Sequence, residues 1–246
     1  MGEMVSTLSR CLRGCALVGA AALLVGCTRV ISGTVQPVAG GAESASIPVA
    51  DLLIQPGQFP ARYRAVVLDA TAVYRALQDV DGVAAASIVD PPQCAPPPRA
   101  PLDTAAMQGI DSQDASSLIV TVTRPAGPLR SRAEQLTACP AFTAVRGHDA
   151  SAVTVTVLPA PPVDADDWGH LPLAGDYAVD QTVTAESSGS MRRTLTLAAQ
   201  IGDVRVSATW LHEGPKETTP DAAPDTQTLD ALFTDAVRTV RRIGGP

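Results

Sequence analysis

The stretch from Leu195 to Trp210 restricts the fold more than any other. Leu195, Leu197, Ala199 and Ile201 alternate along one arm, Gly202-Asp203 follows, and Val204, Val206, Ala208 and Trp210 alternate along the next. Apolar side chains at every second position set one face of a strand against a core. Glycine first in a two-residue loop is the signature of a type II′ hairpin turn. A lone hairpin is marginal in water, so its apolar face needs more strands and a covering layer. The C-terminal segment offers the cover. Leu229, Leu232, Phe233, Ala236, Val237 and Val240 form a stripe at helical spacing, with Asp225 placed to cap the N-terminus. Arg238, Arg241 and Arg242 suit the negative end of that helix, and Gly244-Gly245 stop it.

The segments upstream repeat both patterns. Leu52-Leu53-Ile54 predict a short helical turn ended by Pro56-Gly57. From Asp69, an N-cap, the residues Val73, Tyr74, Leu77 and Val80 share a helical face that Asp81-Gly82 terminates. Val83 to Val89 predicts a strand ending at Pro91-Pro92. Pro96-Pro97-Pro98 opens a loop running to about Asp114, with a short helix near Thr104 to Gln108. Leu118 to Thr123 predicts a strand with both faces at least partly buried, and Leu129 to Ala138 a helix with Leu136 inward. Strands follow at Phe142 to Arg146, Val153 to Val157 and Tyr177 to Thr184, with a Pro- and Asp-rich loop at Pro159 to Pro172. Strands and helices do not alternate one by one. The expected architecture is α+β: a mostly antiparallel β-sheet with helices packed on one face, the C-terminal helix among them.

The N-terminus reads as an address. Arg10 and Arg13 precede an apolar run from Cys15 to Val25, which Gly26-Cys27 closes. A basic region, a short apolar region and a small residue before the cut describe a secretory signal peptide. The run is too short to span a bilayer, which takes roughly 20 apolar residues. Leu24-Val25-Gly26-Cys27 resembles a bacterial lipobox, so cleavage is expected between Gly26 and Cys27, with lipid attached to the Cys27 thiol. Two acyl chains anchor stably where one does not. Residues 1–26 are thus expected to be the signal peptide, 27–48 a flexible tether, and 49–243 a single globular domain on the outer face of the cell membrane.

Charge narrows the partners. The full chain carries −7, and losing Arg10, Arg13 and Glu3 leaves the exported polypeptide slightly more negative still. An acidic domain repels phosphate backbones, so no nucleic-acid partner is expected. Cys11 and Cys15 leave with the signal peptide and Cys27 is acylated, which leaves Cys94 and Cys139. In an oxidising compartment these two read as one disulfide. The alternative is a pair of free buried thiols. Neither belongs to a CxxC motif, so zinc or redox chemistry has no support.

The lipobox, the tether, the Leu52-Leu53 turn, a strand ending near Pro91-Pro92-Gln93-Cys94, and a strand followed by a helix that ends in Cys139 form an ordered series. Several strands and one C-terminal helix complete it. This order is similar to that of the mycobacterial envelope lipoproteins whose domain is like the extracellular sensor domain of the kinase PknH, over roughly residues 49–243. The resemblance implies the α+β fold, the outer-face location and a ligand cleft. That sensor domain has two disulfides and a Trp near its helix-borne Cys. This chain can form only one disulfide after export and lacks that Trp.

No residue set announces a reaction. GxGxxG, a P-loop, HExxH and Gly-x-Ser-x-Gly are all missing from the sequence. Ser187-Ser188-Gly189-Ser190 reads as a polar turn. His148, His170 and His212 are scattered, and each reads as a solvated loop or strand-end residue. Asp164-Ala165-Asp166-Asp167-Trp168-Gly169-His170 echoes an EF-hand loop, but Trp168 stands at position 5 and Gly175 at position 12, where a bidentate Glu is needed. No catalytic, cofactor-binding or metal-binding residue is therefore assigned. The expectation is a lipid-anchored envelope protein acting as a ligand-binding or protein-interaction module. The alternatives are a hydrolase of envelope esters or glycans and an accessory subunit of an envelope complex. Its expected partners are the membrane, through the lipid, and an envelope ligand or protein.

Overall fold

A computed structural model describes residues 47–98, 103–125, 127–159, 177–185, 189–217 and 222–244. All of them belong to one compact unit, Ala45–Pro246. Gly26, Cys27, His170 and the acidic segment around Trp168 lie outside the described residues, as do Ser187 and Ser188.

Among the described residues nine strands form one antiparallel sheet. In chain order they are β1 (Arg64–Val67), β2 (Ile88–Asp90), β3 (Thr104–Asp111), β4 (Ser116–Thr123), β5 (Ala141–Arg146), β6 (Asp149–Leu158), β7 (Tyr177–Ala185), β8 (Ser190–Ile201) and β9 (Val204–Pro215). Across the sheet the order is β1-β3-β4-β9-β8-β7-β6-β5-β2. Three α-helices accompany them: α1 (Ala70–Asp81), α2 (Leu129–Ala138) and α3 (Thr226–Gly244). The α+β class and the mostly antiparallel sheet are as expected. Among the described residues no helix is long and apolar enough to cross a membrane.

The hairpin forms as its sequence dictates. Ile201 pairs with Val204, Leu195 with Trp210, and Gly202 takes the positive φ of 58° that the turn requires. Its apolar face lies under α3, where Leu229, Phe233 and Val237 pack on Leu118, Val120, Val206 and Ala208. Leu52, Leu53 and Ile54 fill the same layer from the 3-10 turn Val49–Leu52 and the residues just after it. The Asp69 carboxylate accepts the Ala72 N–H at 2.9 Å and the Asp225 carboxylate the Thr228 N–H at 3.2 Å, so both expected caps form.

Several local expectations are corrected. The helices do not all share one face: α3 covers one side, while α1 and α2 cover the other. Ala106 meets Val73 and Leu77 of α1, whereas its neighbours Ala105 and Met107 point into the α3 layer. Strand alternation makes both faces of the sheet core, and one helix covers only one of them. The helix expected at Thr104 to Gln108 is strand β3, held by β1 on one side and β4 on the other. The strand expected at Val83 to Val89 is confined to Ile88–Asp90, because Ala86 turns the chain with φ 58°. Tyr74 is exposed, and Ala76 takes its place in the buried stripe of α1. Strand β1 had no sequence signal.

Candidate functional site

Helix α1 leaves β1 at one edge of the sheet, crosses β3, and ends over β7. Its last turn stops at Gly82, whose φ of 69° is left-handed. A Cβ at Gly82 would lie 2.2 Å from Gln181 Nε2 and 2.6 Å from Val183 Cγ2. Glycine is needed there twice, for the backbone angle and for the close approach. We expect Gly82→Ala to cost about 2–3 kcal/mol in urea unfolding, from left-handed strain and forced repacking together. A loss under about 1 kcal/mol would show that the end of α1 is not held against β7.

Helix α2 faces α1 from over β6. It is anchored at both ends. Gln200 of β8 accepts the first free helix N–H, from Leu129, at 2.6 Å. At the other end Cys139 is bonded to Cys94, so the expected disulfide is present. Gln135 adds two hydrogen bonds of 2.8 Å each from its Nε2 to the carbonyls of Gln93 and Ala95. The cysteines are 3% and 2% exposed, so the bridge is part of the core under α2.

Among the described residues the sheet is left uncovered between the two helices, and there lies a cleft of about 540 Å³. That volume is in the range of small-molecule sites. Thr121, Ser207, Thr196 and Gln181 contribute to its floor, and Leu77, Val80, Arg132 and Leu136 to its walls. Pro97, Pro98, Pro125 and Pro128 also line it. The floor hydroxyls are paired across strands: Thr121 with Ser207 at 2.6 Å, Thr196 with Thr209 at 2.9 Å, and Thr104 with Thr123 at 2.8 Å. The walls meet through Arg132 Nη2 of α2 and Asp81 Oδ1 of α1, 3.5 Å apart with side chains only 10% and 12% exposed. Gln181 is 4% exposed, and its Nε2 has no hydrogen-bond partner among the described residues.

A smaller recess of about 180 Å³ lies beside the same C-terminal end of α1, with Arg192 between Asp79 and Glu213 at 2.9 and 2.7 Å. Burial pushes the Asp79 carboxyl up from its ordinary value, Arg192 pulls it back, and Glu213 pushes it up again. This is a surface ion-pair network, partly exposed, that ties α1 to β8 and β9.

The two described histidines do not converge. His148 sits in the exposed turn between β5 and β6, and His212 stacks on Trp210 with ring centroids 6.0 Å apart. Neither lines the cleft, and among the described residues no group of three His, Cys, Asp or Glu could hold a metal ion. The cleft residues themselves escaped the sequence reading. Their one signal is the set of Thr and Ser that alternates with the apolar residues of β4, β8 and β9, and such alternation ordinarily marks a wet face; Gln181, between Asp180 and Thr182, gives no such signal.

No family model and no curated protein matches this chain. Among solved structures, the chain is similar to an uncharacterised protein of Mycobacterium smegmatis, the Rv0999 ortholog. The TM-score is 0.42 and the identity 14%, over 80% of this chain and 98% of that one.

Proposed function

We propose that this chain is an exported, lipid-anchored envelope protein whose domain binds a small molecule in the cleft between α1 and α2. The observation that carries the binding half of this reading is the cleft itself: about 540 Å³ set on a sheet face where Thr121 and Gln181 are buried and Thr196 and Ser207 half-buried. A sheet face meant only for packing would be apolar, because buried polar groups cost stability unless satisfied. The anchoring half rests on Leu24-Val25-Gly26-Cys27 and on the basic and apolar segments before it. On this reading the protein belongs with the envelope lipoproteins whose domain is like the PknH sensor domain.

The test is native mass spectrometry of the full chain purified from its own membrane, beside a Ser131→Trp variant that fills the cleft from α2. The expected result is a small molecule retained by the wild type and lost from the variant, on a polypeptide carrying the mass of acyl chains at Cys27. Retention in both proteins would place the ligand elsewhere, and a bare polypeptide in both would end the binding reading.

A further inference from the structure

We infer that the cleft takes a small amphiphile with an oxyanion head, a carboxylate or a phosphate monoester. The head lies on the sheet floor and the apolar tail along the prolines. This rests on the cleft being a ligand site, as proposed above.

The floor is rich in donors. Gln181 Nε2 is buried without an acceptor, which is a standing cost that a ligand oxygen would remove. Thr121 and Ser207 bond to each other, and a pair of hydroxyls has two O–H groups, so one remains to be donated outward. Three guanidiniums, Arg124, Arg132 and Arg205, line the cleft, each also held by the protein: Arg124 by Asp203, Arg132 by Asp81 and Arg205 by the Gly127 carbonyl. The carboxylates of the lining are Asp81 and Asp103, and Asp81 is already bonded to Arg132. Arginine forks suit carboxylate and phosphate geometry.

The remaining wall has the opposite character. Pro97, Pro98, Pro125 and Pro128 have no backbone N–H to offer, and Leu77 and Val80 extend the apolar surface. No aromatic ring lines the cleft among the described residues, so none of them offers a sugar or base an aromatic face to stack on. A chain of methylenes is the body that such a wall accepts, and an oxyanion is the head that the floor accepts.

Isothermal titration of the purified full chain with octanoate, octyl phosphate, octanol and inorganic phosphate tests this. One of the two amphiphilic anions should bind at least about tenfold more tightly than octanol or inorganic phosphate. Octanoate against octyl phosphate then separates carboxylate from phosphate. Gln181→Met, which keeps the volume and removes the donor, should weaken that anion about tenfold while raising the melting temperature by about 2–4 °C. Octanol binding as tightly as the anions overturns the oxyanion head and leaves the cleft reading in place. Inorganic phosphate binding as tightly overturns the tail. Silence from all four probes overturns the inference, as does a Gln181→Met protein that binds like the wild type. If anion binding survives Ser131→Trp, the cleft reading falls with it.

Discussion

Removing the Cys94–Cys139 bridge should lower the stability of the domain by about 4 kcal/mol. The two cysteines are 45 residues apart in sequence, and a loop of that size loses much conformational entropy in the unfolded chain once it is closed. The bridge also joins the 3-10 turn Pro92–Cys94 to the residue that ends α2, so its loss frees one wall of the cleft. Both sulfurs are buried, which makes paired alanine substitutions cleaner than serines, since no hydroxyl is then forced into the core. Urea unfolding of the Cys94→Ala, Cys139→Ala protein should show a lower midpoint, and dithiothreitol should move the wild type the same way. A shift worth less than about 1 kcal/mol would mean that the unfolded chain is already constrained over this loop.

Phe233→Ala should cost as much, about 3–5 kcal/mol. Phe233 is 1% exposed and stands in the middle of the stripe that seals α3 onto β4, β8 and β9. Its neighbours there belong to three strands and the Val49–Leu52 turn, so the cavity cannot close by moving one side chain. Arg238→Ala on the outer face of the same helix is the control. Its ion pair with Asp235 spans 3.7 Å between side chains that are 44% and 40% exposed, and its removal should change stability by less than about 0.5 kcal/mol. Equal costs for the two substitutions would mean that helix propensity, not burial, holds α3 in place.

What the sequence reveals here depends on how local the cause is. The hairpin, the caps at Asp69 and Asp225, and helix α2 follow from spacing within a few residues, and all of them form. Strand β3 fails that test. Thr104-Ala105-Ala106-Met107-Gln108 is made of good helix formers, yet it is a central strand because its alanines fit where helices press from both sides. Gly109 in the same strand belongs to that logic: a Cβ there would stand 2.6 Å from Phe59. Tertiary packing chose these small residues, and no local pattern records it. The cleft was hidden for a related reason. Thr121, Thr196 and Ser207 carry the polar half of an alternation, and a single strand does not tell whether that half faces water or a second layer. Cys94 and Cys139 were legible because few cysteines were left to pair. The polar floor between two helices needed coordinates.

The place of β9 in the sheet sets a timetable. It is the last strand in the chain and a central strand in the sheet, flanked by β4 and β8. Leu118 waits for Trp210 and Ser116 for His212, so β4 keeps an open edge until most of the polypeptide is present. Closure of that gap pairs Leu118 with Trp210, 92 residues further along the chain, which makes it entropically costly and slow. Until then the apolar residues of β4 have no lasting neighbours on that side. A chain that emerges in order from its N-terminus therefore cannot mature piece by piece: the keystone is among the last elements delivered, and the cleft between α1 and α2 exists only once it is set.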